Sequence, residues 1–240
     1  MLKFDGNKVL NSPRRRAAAC SIVVIYLIAA TVSIFGDTLG IADLLQKDPT
    51  LNREILAAAK TYNEPRRFKV ASAQETYDNY GVTRDIEYQG SVIAKKPIED
   101  KIYCIGFIFD TYMKACEIAK GRNFVLPKVS STNFPDFRKD FYGVDGNKKT
   151  FVEALSKRGL GREITNLEEA RKGDLVQLWR RNSGHAVVFI EWIRRDEQIA
   201  GIRYWSVQSK TGIGIAFEGV GEKKNIKPEN IFIVRAFEPK

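Results

Sequence analysis

Apolar positions recur at three- and four-residue steps through much of the first half of the chain, then at two-residue steps or in short runs from Asp174 onward. The first regime predicts helices and the second strands. Residues 103–120 carry the strongest helical period, with Ile105, Ile108, Phe109, Tyr112, Cys116 and Ala119 on one stripe and Gly121 as a stop. Upstream, Asp48-Pro49 reads as an N-cap and first helical position. Leu51, Ile55, Ala58, Ala59 and Tyr62 then share a face until Pro65. Residues 66–100 show weak periodicity and read as loops and short elements. Leu126-Pro127 opens an expected loop over 126–149. Thr150 with Glu153, and Asn166 with Glu169, have the spacing of capping boxes at the starts of short helices. Strands are expected at 175–180, 185–193, 202–208 and 230–237. Helices followed by antiparallel strands predict an α+β fold.

The polar stretch 194–201 between the second and third strands fixes a register. A turn centred between Asp196 and Glu197 makes paired positions sum to 393 and sets His185 opposite Gln208. Opposed residues of an antiparallel pair share a face. Tyr204, Ser206, Val187 and Phe189 are expected on that same face.

The 19 uncharged residues 17–35 interrupt the globular pattern near the N-terminus. As a helix they would span about 28 Å, close to a bilayer's hydrocarbon thickness. Arg14, Arg15 and Arg16 precede them, so the positive-inside rule puts that end in the cytoplasm and the rest of the chain outside. The apolar run exceeds the ~7–15 residues usual in a cleaved signal peptide and lacks an A-x-A site, which favours a retained anchor over secretion. The organisation expected is a basic stub with anchor or signal over 1–36, a helical connector over 37–70, and a catalytic domain over 71–240.

Net charge is +10, of which residues 1–16 supply +4. The scattered remainder suits an anionic surface such as a membrane or cell wall. Nucleic acid is not an expected partner, because zinc-finger spacing and RNA-binding aromatic motifs are absent. Cys104 and Cys116 lie 12 residues apart in one expected helix, about 18 Å along its axis, too far for a disulfide. Cys20 belongs to the apolar segment. One histidine and two remaining cysteines are too few for a zinc site, so no metal or organic cofactor is expected.

Cys104 heads the strongest helix, where backbone N–H groups and the helix dipole favour a thiolate. The only histidine, His185, opens a strand after Gly184. Cysteine plus histidine is the minimal kit for thiolate chemistry. Cys104 as nucleophile, His185 as base and Gln208 as the residue orienting the imidazole form the expected triad, with Ser206 and Asn182 as other polar residues able to intrude. Tyr103 and Ser206 are expected to contact substrate.

The run Cys104-Ile105-Gly106-Phe107-Ile108 with Leu126-Pro127, followed by Gly173-Asp174-Leu175-Val176-Gln177-Leu178 and Gly184-His185-Ala186-Val187-Val188, resembles the NlpC/P60 cysteine peptidases over roughly residues 100–210. Tyr103 and Ile105 stand where that family usually has Asp and Ser. The resemblance implies a papain-like core with the nucleophile helix packed on an antiparallel sheet. It also implies hydrolysis of amide bonds in peptidoglycan peptides, often at a D-glutamyl–diamino-acid bond. CHAP amidases share that fold and remain an alternative, as do a papain-like acyltransferase or effector and a non-catalytic cell-wall-binding scaffold.

Overall fold

The computed structural model describes residues 49–62, 69–70, 80–97, 101–208 and 211–240, which belong to one compact unit. The apolar segment 17–35 and Asp48 lie outside the described residues. No helix among the described residues is long and apolar enough to cross a membrane.

The architecture is α+β. Helix α1 (Asn52–Lys60) begins three residues past the expected proline. Two short ladders follow, β1 (Lys69–Val70) with β4 (Lys101–Ile102), and β2 (Ile86–Tyr88) with β3 (Ser91–Ala94). Next come α2 (Cys104–Lys120), α3 (Phe134–Tyr142) and α4 (Phe151–Lys157). The remaining strands are β5 (Gly161–Ile164), β6 (Leu175–Arg180), β7 (Gly184–Arg195), β8 (Gln198–Gln208), β9 (Gly212–Gly219) and β10 (Ile226–Ala236). They form one antiparallel sheet in the order β5-β10-β6-β7-β8-β9.

Helix α2 is buried around most of its circumference, with 11 of 17 residues inside, so it is the core helix rather than a surface amphipathic one. Even its Asp110 is enclosed. That carboxylate accepts from Tyr62 Oη at 2.9 Å, Thr83 N at 2.9 Å, Arg84 Nε at 2.9 Å and the Thr83 hydroxyl. A buried charge needs such partners. These bonds fasten α1 and the 80–88 segment to α2.

The sheet is buried on both faces, which explains its near-continuous apolar runs. One face, carrying Leu175, Ala186, Val188, Trp205 and Val207, packs on the helices. The other, carrying Val176, Leu178, Val187, Phe189 and Tyr204, forms a second core made of strand side chains.

Three local expectations are corrected. The expected loop 126–149 contains α3, whose Phe134, Phe137 and Phe141 fill the core and whose Pro135 sits in the first turn, where proline is tolerated. The Thr150–Glu153 capping box does not form: Thr150 Oγ1 donates to Gln177 Oε1 at 3.2 Å, while Glu153 binds Asn147 and Lys157. Asn166 does cap, accepting from Glu168 N at 3.1 Å, but the element is one turn of 3₁₀ helix, Leu167–Glu169.

Candidate active site

Cys104 is the first residue of α2, after an extended Tyr103 that offers no side-chain cap. The amides of the first turn therefore have no intrahelical acceptor and point toward the sulfur's end of the helix. Gly106 lets this end be covered. A Cβ there would collide with the carbonyl oxygens of Tyr80 and Gly81, so only glycine admits that turn against the helix. Gly81, at φ +56°, in turn leaves room for the Tyr103 ring.

The Cys104 side chain is part-exposed and packs on the helix-bearing face of the sheet. Burial pushes its thiol pKa up. The amide of Ala186, the amides of Ile105 and Cys104, and the charge of Arg180 pull the other way without reversing the shift. The thiol therefore rests protonated. Cys116 is also a free thiol, enclosed in the core beside Tyr112 and pushed up by burial, which makes it inert.

His185 sits on β7, one residue from the amide that the sulfur meets. The expected hairpin register holds at both ends: Arg195 faces Gln198 and Val188 faces Trp205. Two irregularities between them, at 189–191 and 193–194, cancel. Gln208 consequently reaches the imidazole, its Nε2 lying 3.3 Å from His185 Nε2. Strand alternation decides where the ring goes. Ala186 and Val188 face the helices, so His185 turns to the reverse face, opposite Leu178 and edge-on to Tyr204 at 5.5 Å between ring centroids. Among the described residues no hydrogen bond joins Cys104 Sγ to the imidazole. The sulfur and the ring approach the same stretch of β7 from its two sides.

A directed chain continues from the ring. Gln208 Nε2 donates to Tyr204 Oη at 3.3 Å, and Tyr204 Oη donates to Glu218 Oε1 at 2.6 Å. Arg180 holds Glu218 with Nε 2.7 Å from Oε2 and a second, shorter contact. The carboxylate can only accept, which makes Tyr204 its donor and leaves Tyr204 Oη to accept from Gln208. The remaining N–H of that amide then points at His185 Nε2, so the resting imidazole carries its proton on Nδ1. Burial first, then Arg180, lower the His185 pKa to about 3, against the opposing pull of Glu218. The ring is neutral at physiological pH.

Among the expected site residues, His185 and Gln208 are thus paired, and Cys104 lies beside their strand. Ser206 is corrected: it is fully buried, and its hydroxyl donates to Ala186 O at 2.7 Å, so it braces β8 on β7 and does not face a substrate. Asn182 is exposed in the β6–β7 turn, away from any triad role. Tyr103 lines a groove of about 140 Å³ with Tyr80, Tyr142, Arg138, Lys139 and Val144. Sequence reading missed Arg180, Tyr204 as a relay, and Glu218. The last comes from β9, whose Ile213-x-Ile215-x-Phe217 alternation was the available signal. Among the described residues no cluster of three or more metal-ligating side chains occurs. No protein-family model, no curated protein and no solved structure significantly matches this chain.

Proposed function

We propose that the protein is a cysteine-dependent hydrolase of amide bonds in peptidoglycan peptides, with a papain-like core of the NlpC/P60 kind, tethered by segment 17–35 on the outer side of the cytoplasmic membrane. The observation that carries this reading is that a sulfur at a helix start and an imidazole tied to Gln208, from segments about eighty residues apart in sequence, lie on the two sides of β7 at residues 185–186. The peptidoglycan substrate rests on the sequence resemblance.

In this reading the resting pair is neutral, so the proton moves as the bond forms. The ring rests on the reverse face of β7 from the sulfur, so the step requires the imidazole to turn to the sulfur's side. Cys104 Sγ then attacks the amide carbon while the imidazole takes the thiol proton. The oxyanion accepts from the Cys104 amide. The imidazole then protonates the departing amine, and water hydrolyses the thioester to free acid and thiol. Base action at Nδ1 needs the tautomer with the proton on Nε2. Turning the Gln208 amide over lets its Oε1 accept from that proton, a service that a donor-only or acceptor-only side chain cannot give to both tautomers.

Incubation of the full chain with purified muropeptides tests the reading. Release of a new amine, lost in Cys104→Ala and reduced at least a hundredfold in His185→Ala, is the expected result. Absence of turnover by folded protein removes the hydrolase. A second reading, a wall-binding module with an inert thiol, is favoured by the missing sulfur–imidazole hydrogen bond. It predicts retention of the protein on insoluble peptidoglycan without any cleavage.

A further inference from the structure

The two edges of the six-stranded sheet are built differently. At one edge β5 is four residues long and carries Arg162 and Glu163, the short, charged form by which an edge strand avoids pairing with another chain. At the other edge β9 has none of those devices. It runs eight residues, pairs with β8 at every position without a bulge, and contains no proline. Its single charge, Glu218, is held on the reverse face by Arg180 and Tyr204.

The ladder decides which peptide groups of β9 face outward. Val220 N donates to Ala200 O at 3.0 Å, so by alternation Gly212, Gly214, Ala216 and Glu218 bond to β8. The N–H and C=O groups of Ile213, Ile215, Phe217 and Gly219 therefore point away from the sheet. Among the described residues no hydrogen bond reaches them. The side chains of Ile213, Ile215 and Phe217 share the helix-bearing face. Ile213 is buried there, but Ile215 is 50 % exposed and Phe217 74 %. Opposite Phe217, Arg203 is neutralised by Glu191 at 2.9 Å.

We infer that β9 is the pairing edge of a reversible homodimer, joined antiparallel to β9 of a second copy about a two-fold axis at Ala216. This register sets Ile215 of each copy opposite Phe217 of the other and joins the outward peptide groups of both strands. An axis one residue earlier would set Phe217 against Ile213, which is already buried. Charge singles out a second copy as the occupant. The chain carries +10 overall, so two copies repel on approach, yet the contacting face of this edge presents only apolar groups beside a neutral ion pair. Glu218 meets Gly214 across the axis, which keeps the two carboxylates apart. Two paired strands fall short of the ~1,200 Å² of total area at which stable complexes begin, so the dimer is weak and reversible. The pairing also braces the strand that supplies Glu218 to the His185 chain. It stands whether or not Cys104 performs hydrolysis.

Sedimentation equilibrium of the full chain, in a detergent that keeps segment 17–35 dispersed, tests it. The expected outcome is a monomer–dimer equilibrium with Kd on the order of 10 μM to 1 mM. Ile215→Pro removes one outward N–H and no bond to β8, and Phe217→Lys puts a charge at the seam. Each should weaken association at least about tenfold. Phe217 is largely exposed, so its variant keeps the fold and decides alone if proline disturbs the strand. Ile215→Glu and Phe217→Lys, each monomeric by itself, should form heterodimers when mixed, because the register sets their opposite charges against each other. A wild-type chain still monomeric at about 1 mM overturns the pairing. So does association that Phe217→Lys leaves unchanged, or a mixture of the two charged variants that stays monomeric.

Discussion

His185 is the chain's only histidine, so its ring can be followed without assignment ambiguity. Its environment makes two demands. Burial and Arg180 hold the folded pKa at about 3, below the ordinary 6.5. The Glu218–Tyr204–Gln208 chain sets the proton on Nδ1. The sign of the pH effect follows. Between 6.5 and about 3 the unfolded chain binds a proton that the folded one refuses, so stability falls as pH drops through that window. This one group contributes a slope approaching about 1.4 kcal/mol per pH unit there. Imidazole ¹⁵N spectra should show a neutral Nδ1–H ring down to pH 4, and Glu218→Gln, which removes the obligate acceptor, should mix the tautomers. A ring that titrates near 6.5, or a tautomer indifferent to Glu218, would contradict this account. Cys104, His185 and Gln208 were legible as residues because a helix start and a hairpin register place them. The face of the ring was not, since the sequence expectation counted opposed pairs within the hairpin and not which side α2 would cover.

Among elements, the strands with continuous apolar runs were the most legible. The expected strand 175–180 coincides with β6, and the hairpin sum of 393 survives two compensating irregularities. Two elements escaped for identifiable reasons. In α3 a proline and four charged residues break the appearance of a helix, although Phe134, Phe137 and Phe141 keep its period. In β9 three glycines dilute the alternation, and its outer residues Ile215 and Phe217 stay exposed at the sheet edge. The seating of the Tyr80–Gly81 turn on α2 was invisible as well, because it depends on an absent side chain. A methyl group at Gly106 has no space against those carbonyls. Gly106→Ala should therefore destabilise the protein by about 1–3 kcal/mol, as overpacking does, and should speed iodoacetamide alkylation of Cys104 by lifting the turn from the helix start. Urea midpoints and alkylation rates check both. A variant with unchanged midpoint and rate would mean that the turn does not rest on the helix.

At the scale of the molecule, one buried ion pair joins segments that are far apart in sequence. Asp174, fully buried before β6, accepts from Arg235 Nε and Nη2, both at 2.9 Å, from Asn52 Nδ2 at 2.8 Å and from Arg171 N at 2.7 Å. Arg235 Nη2 also donates to Glu169 O at 2.7 Å. The joint thus ties α1, the 3₁₀ turn, the start of β6 and the end of β10, and β6 is the strand that carries Arg180 and pairs with His185. Its energetic character is set by enclosure. Two charges removed from water gain little net stability as a pair, yet leaving one alone is costly. Asp174→Asn strands the Arg235 charge and should cost about 3–5 kcal/mol, lowering Tm by roughly 10 °C at the 2–4 °C per kcal/mol usual for a unit of this size. Asp174→Asn combined with Arg235→Met removes the stranded charge and should recover part of that loss, so the double variant melts above the sum of the single effects. A double variant that loses the full sum would place the strength of the joint in the hydrogen bonds from Asn52 and Arg171 rather than in the guanidinium.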